Sequence, residues 1–127
     1  MPEERYTWSP GEGVTPVARV YAHVARYNFY YPASSLGVPA PGGQDAEAVE
    51  QRTGKAEILD LLRRSREHVQ QTVEGMTDEQ LATTTRLYGR DVPQWSVLLH
   101  LLAHMNEHLG QSIAYARMNG VVPPWSR

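Results

Sequence analysis

Residues 93–120, PQWSVLLHLLAHMNEHLGQSIAYARMNG, read as one long helix, and that reading decides the fold. The leading proline suits a helix start, and Gly120 followed by Pro123-Pro124 marks the end. Leu98, Leu101, Leu102, Met105, Leu109 and Ile113 form a broad apolar face. The small residues Ala103, Gly110 and Ala114 lie on another, where a neighbouring helix can approach. A helix apolar around most of its circumference belongs at the centre of its fold. Three histidines, His100, His104 and His108, interrupt it at steps of four. At about 3.6 residues per turn such steps drift by only ~40°, so the imidazoles share one face. Gln111 and Tyr115 continue that stripe. Buried imidazoles need partners, and a divalent cation is one, because two histidines at i and i+4 can grip a single ion.

Upstream, the 3-and-4 spacing of Ile58, Leu62, Val69, Val73 and Met76 predicts a second helix over 55–75, with Arg63, Glu67, Gln70 and Glu74 opposite. Thr77 and Gln80 have the spacing of a capping box for a short turn beyond Gly75. Thr15-Pro16 offers a hydroxyl cap and a first-turn proline for another helix, running to about Phe29 and stopping before Pro32. Its apolar stripe is Val17, Val20, Val24 and Tyr31, with Tyr27 alongside. Residues 1–14 read as irregular, 86–92 as a polar connector, and 32–52 as a surface excursion with a helical turn at 45–51: a plain loop or a lid over a pocket. No segment alternates with period two, so the class is all-α, a helical bundle in a single domain, 1–127.

Composition narrows the function. A net charge of −2 provides no basic patch for nucleic acid. With no cysteine there is no disulfide, thiolate metal site or cysteine nucleophile. Apolar runs are too short to span a membrane, and the N-terminus lacks signal-peptide character, so a soluble cytoplasmic protein is expected.

A third metal ligand must come from another helix. His23 lies at the edge of the first helix's stripe and can point into the bundle, whereas His68 falls about 80° from the centre of its own, at the boundary or surface. His23 is the better candidate. The string His104-Met105-Asn106-Glu107-His108 also matches H-x-x-E-H, a zinc-peptidase signature. That reading fails because no Asp or Glu follows His108 to act as the downstream ligand. Glu107 is retained as a candidate base, with an exposed helix residue as the plainer reading.

His104-x-x-x-His108-x-Gly110-Gln111, Ile113-Ala114-Tyr115-Ala116-Arg117 and the ending NGVVPPWS resemble the C-terminal helix of the DinB-like family, the damage-inducible DinB and YfiT-type metalloenzymes. Trp8, Val20, His23, Val24 and Asn28 resemble that family's second helix, and KAEILDLLRRS its third. The resemblance covers nearly the whole chain and implies an up-down-down-up four-helix bundle, here lacking most of the usual first helix. It implies His23, His104 and His108 as metal ligands, with His100 beside them but not on the ion. Zinc or nickel is the metal expected first, with iron or manganese as alternatives, since imidazole suits several divalent ions. For the absent helix either the start is trimmed or another element covers the exposed core, and a homodimer whose partner supplies that surface is the expectation.

Characterised members of the family include thiol-dependent S-transferases and an isomerase using low-molecular-weight thiols. The resemblance therefore implies a small-molecule enzyme that activates a thiol cosubstrate as thiolate on the metal. A metal-dependent hydrolase and a non-catalytic, stress-linked metal-binding bundle are the alternatives. Arg19 and Arg26 flank His23 and can receive carboxylates of such a thiol; solvated surface charge is the plainer reading. Tyr27, Phe29, Tyr30 and Tyr31 wall either a pocket for an apolar electrophile or simply the core. Gln111 is a candidate substrate contact and Tyr115 a candidate pocket hydroxyl.

Overall fold

Val17–Leu36 forms the helix, α1, on which the rest of the chain is assembled. The structure is a computed structural model that describes residues 1–42 and 46–126. After α1 come a one-turn helix, α2 (Ala46–Glu50), a long helix α3 (Lys55–Glu74) and a second short helix α4 (Asp78–Ala82). A hairpin of β1 (Thr84–Leu87) and β2 (Arg90–Pro93) leads into α5 (Gln94–Met118). α3 follows the direction of α1: Ala25 packs near Leu61, Asn28 donates to Ser65 and the Phe29 ring meets His68. α5 runs the other way, pairing Tyr31 with His100, His23 with His108 and the Thr15 carbonyl with Tyr115. The described residues thus hold three long helices, two parallel and one antiparallel.

α1 does not stop before Pro32 but continues to Leu36. The proline removes one backbone donor, yet this part of the helix buries Tyr31, Pro32 and Ser35, and the Ser35 carbonyl accepts from Thr85 Oγ1 of the hairpin. The effective stop is Gly37, which adopts φ 71° and donates to the Pro32 carbonyl. At the other end, Thr15 supplies no hydroxyl cap. The backbone carbonyls of Tyr6 and Trp8 accept from the Ala18 and Val17 amides instead, so the irregular N-terminal segment is what caps the helix.

α3 is rotated relative to the expected stripe. Its buried residues are Ile58, Leu61, Ser65, His68 and Thr72, while Val73 is exposed and Leu62 half-buried. The polar members are tolerated because Asn28 donates to Ser65 and Thr72 donates to the His68 carbonyl. His68, expected at the boundary, is only 5% exposed. The Thr77–Gln80 capping box forms as expected.

The connector expected at 86–92 is part of the hairpin, turning on Tyr88 and Gly89 with φ of 50° and 76°. Both values are positive, as a two-residue type I′ loop requires. Leu87 and Val92 pack against the cluster of Tyr31, Val97 and Leu101.

Nor is α5 the centre. It buries only Val97, Leu101 and Tyr115, leaving Trp95, Leu99, Leu102 and Leu109 about half exposed. Ala103, Gly110 and Ala114 are exposed, and a Cβ built on Gly110 meets nothing within 4 Å. α1 takes the central position, with α2, α3 and α5 around it.

Candidate metal centre

The middle of the α1–α5 seam brings His23 against His104 and His108. Antiparallel packing sets position 23 opposite 108 and 27 opposite 104, so the four-residue spacing on α5 presents two imidazoles to one from α1. Ring centroids are 5.2 Å apart for His23–His104, 4.9 Å for His23–His108 and 4.6 Å for His104–His108. One ligand nitrogen from each lies within 4.8 Å of the others, and all three residues are partly buried, so the group can hold a metal ion.

Two hydrogen-bond networks fix which nitrogens are available. Glu50 Oε1 lies 2.9 Å from His23 Nδ1. A carboxylate can only accept, so Nδ1 carries a proton, and in the neutral ring the lone pair is on Nε2. Burial raises the Glu50 carboxyl, but hydrogen bonds and charge from Arg26 and His23 outweigh it and hold the group below the usual carboxylate range. The second network starts at the Thr15 carbonyl, which accepts from the Tyr115 hydroxyl at 3.0 Å. That hydroxyl in turn accepts from Gln111 Nε2 at 3.1 Å, which turns Gln111 Oε1 toward His108 Nδ1 at 2.8 Å. The polarity runs back from the backbone carbonyl, so His108 Nδ1 donates and Nε2 is left as a ligand.

His104 has a different surrounding. Its Nδ1 is buried with no hydrogen-bond partner. Burial above all, then the neighbouring His108 and His23, pushes its pKa down to about 4. A neutral imidazole with an unpartnered buried nitrogen, beside two others with directed lone pairs, fits a divalent cation. The donor set is three neutral nitrogens, which suits zinc or nickel and compensates none of the ion's charge.

The other expected site residues divide. The Tyr27 ring packs at a tilt against both His23 (4.6 Å) and His104 (5.1 Å) and carries the Arg26 guanidinium 5.2 Å from its ring centroid. Arg19, Arg26 and Gln111 line a cavity of about 380 Å³ with His23, His108 and Glu50. Tyr115 is buried behind Gln111, with its ring edge-on to Trp8. Glu107 is exposed on α5 and reaches the site only through its charge, which opposes the depression at His104. His100 is engaged elsewhere: its Nε2 lies 3.1 Å from both the Tyr31 and Tyr88 hydroxyls.

The four aromatics of 27–31 do not form one wall. Phe29 faces His68 on α3, Tyr27 and Tyr31 face the histidine row, and Tyr30 is half exposed. Sequence reasoning missed Glu50. An imidazole ligand calls for a carboxylate behind it, but nothing in DAEAVE says which acid returns across 27 residues to His23.

The model of the DinB superfamily matches residues 1–112. The chain belongs to the DinB superfamily. The crystal structure of a DinB-like protein from Bacillus cereus ATCC 10987 superposes with a TM-score of 0.84 at 24% identity, over 97% of this chain and 81% of that one. At that identity the likeness shows the DinB-like fold alone. No curated protein matches the sequence. Among the described residues no helix is long and apolar enough to cross a membrane.

Proposed function

We propose that this DinB superfamily chain is a metal-dependent enzyme acting on small molecules, with His23, His104 and His108 as ligands of one divalent ion and a low-molecular-weight thiol as cosubstrate. The observation that carries the reading is the pair of networks that engage Nδ1 of His23 and Nδ1 of His108 and leave each Nε2 for a ligand, in a group with the partly buried His104. A structural tie between helices does not require a cavity at its side. A bound divalent ion supplies a Lewis-acidic centre that favours the thiolate over the thiol.

The chain's own groups do the rest. Glu50 and Gln111 hold two tautomers. Tyr27 covers one side of the rings and excludes water there. Gln111, with its amide fixed by Tyr115, is the polar group beside the ligands that a substrate meets in the cavity. Transfer of the thiol sulfur to a small electrophile is the reaction this arrangement serves best. The second reading, an ion that only joins α1 to α5, draws on the fact that the ligands span those two helices.

Residues 1–127 act as one cytoplasmic domain, and the exposed Trp95, Leu99, Leu102 and Leu109 face of α5 packs against a second copy in a homodimer. Elemental analysis of purified protein and of His108→Ala, with thiol consumption followed against a panel of electrophiles, tests the function. The enzyme reading requires metal in the parent, none in the variant, and thiol consumption that is lost with the metal. Retained metal in His108→Ala, or metal-loaded protein that consumes no thiol, refutes it. Light scattering that finds a monomer at micromolar concentration refutes the dimer.

A further inference from the structure

A second cavity, separate from the one at Glu50, is bounded by all three long helices. Tyr21 and Val24 of α1 and Leu62 of α3 line one side of it, and Met105, Leu109 and Ile113 of α5 the other. Gly120, at φ 70°, reverses the chain after α5, and the Val121 amide donates to the Ala116 carbonyl at 2.9 Å. Residues 121–125 thereby fold back as a strap and form a further wall. The cavity measures about 490 Å³, within the ~300–1,000 Å³ of small-molecule sites.

The chemistry of these walls is uniform. Among the described residues no charged side chain lines the cavity. Its two hydroxyls are engaged: Ser112 Oγ donates to the His108 carbonyl at 2.7 Å and is hydrogen-bonded with the Tyr21 hydroxyl. What a guest meets is hydrocarbon and aromatic surface. The cavity beside Glu50 is of the opposite kind, lined by Arg19, Arg26 and Glu50. His108 is the residue the two cavities share, so a guest of the apolar one lies against a ring proposed to hold the ion.

We infer that this cavity binds the apolar body of the substrate, an uncharged hydrocarbon or aromatic group, and so holds the reacting end beside His108. The inference rests on the metalloenzyme reading and names the substrate class as apolar electrophiles. A second copy of the chain is the competing occupant, because Leu109 belongs both to this wall and to the proposed dimer face. Trp95, Leu99 and Leu102 of that face do not line the cavity, however, and the chain's own strap already covers part of it. A small molecule fits the remaining space better than a helix with a diameter of about 10 Å.

NMR titration of zinc-loaded protein with the primary alcohols from 1-butanol to 1-octanol tests this. Affinity is expected to rise about fourfold for each added methylene. The ring signals of His108 and Tyr21 should shift, and those of His100, which is not in the lining, should stay. Ala116→Leu puts a larger side chain into the cavity and is expected to weaken 1-hexanol by on the order of tenfold, the loss of about two buried methylenes. Val122→Asn, at a half-exposed position of the strap where folding is not at stake, is expected to weaken it by about fourfold.

An affinity that does not change with chain length, or that is unchanged in both variants, overturns the inference. So does a shift confined to signals other than those of His108 and Tyr21. Affinity that rises on dilution of the protein, as light scattering shows dimer giving way to monomer, assigns the cavity to the second copy and overturns it as well. The same titration on metal-free protein, with zinc uptake and thiol consumption measured alongside, separates the two readings. Chain-length dependence in protein that takes up no zinc sinks the metalloenzyme reading and leaves the apolar binding site standing. Zinc uptake and thiol consumption without chain-length dependence sink the apolar site alone.

Discussion

Gln111→Leu isolates what the second network does. The side chain removed accepts from His108 Nδ1 at 2.8 Å and donates to the Tyr115 hydroxyl at 3.1 Å. Leucine has a similar reach, so packing along α5 changes little. The His108 Nδ1 proton is left without its acceptor, and the ring is free to take the other tautomer or turn. Loss of such an orienting partner typically costs 10–100-fold in metal affinity, or about 1.4–2.7 kcal/mol. Gln111→Glu is the matched control: a carboxylate oxygen still accepts from Nδ1 but cannot donate to Tyr115. It is expected to bind metal at least as tightly as the parent, within about twofold. Competition against a chromophoric zinc chelator reads both numbers, and thermal melts of the metal-free proteins separate affinity from stability. If Gln111→Leu binds zinc within twofold of the parent, the proton order from Thr15 through Tyr115 and Gln111 to His108 is not what prepares the ligand.

His100→Ala should keep full metal stoichiometry, since His100 serves the Tyr31 and Tyr88 hydroxyls, while denaturant unfolding of the metal-free protein shows a loss of about 1–2 kcal/mol. Stability of the metal-free protein should fall with acid. His104 is pushed down to about 4, by burial first and then by His108 and His23; His68 is lowered by burial, partly opposed by a hydrogen bond with the Val38 backbone. Both take up protons on unfolding below about 6.5, so their contribution is full above that pH and is lost as pH falls, for His104 down to about 4; equal urea midpoints at pH 7 and pH 5 contradict this. Gly89→Ala forces a side chain onto φ 76° and should lower the melting temperature by about 4 °C, for a cost of about 1 kcal/mol; an unchanged melt contradicts the turn assignment.

The three long helices and the meeting of His104 and His108 with His23 were legible because both are written in helical periodicity. His104 and His108 are neighbours on any α-helix, and His23 needs only to face the same seam. What periodicity did not give was the rotation of α3. Its apolar residues at 62, 69 and 73 suggested a buried face, but the contact with α1 uses Ser65, His68 and Thr72, whose polar groups are satisfied by Asn28 and by backbone. The hairpin was missed because four-residue strands carrying Thr, Arg and Asp show no apolar alternation, and Tyr88 at positive φ is not a usual turn residue. Pro32 misled for a related reason: a local stop signal was outweighed by burial of the next turn. Glu50 stayed hidden because its role comes from tertiary return of a short helix, which no local pattern encodes.

On the proposed reading, one ion is held by imidazoles from α1 and α5 together. Anomalous diffraction from crystals of metal-loaded protein, collected at the absorption edge of the bound element, tests it most directly. A single peak within bonding distance of His23, His104 and His108 is expected, with Glu50 and Gln111 still on the two Nδ1 atoms. A peak bound by the α5 histidines with His23 turned away, or none at the seam in protein saturated with metal, contradicts it.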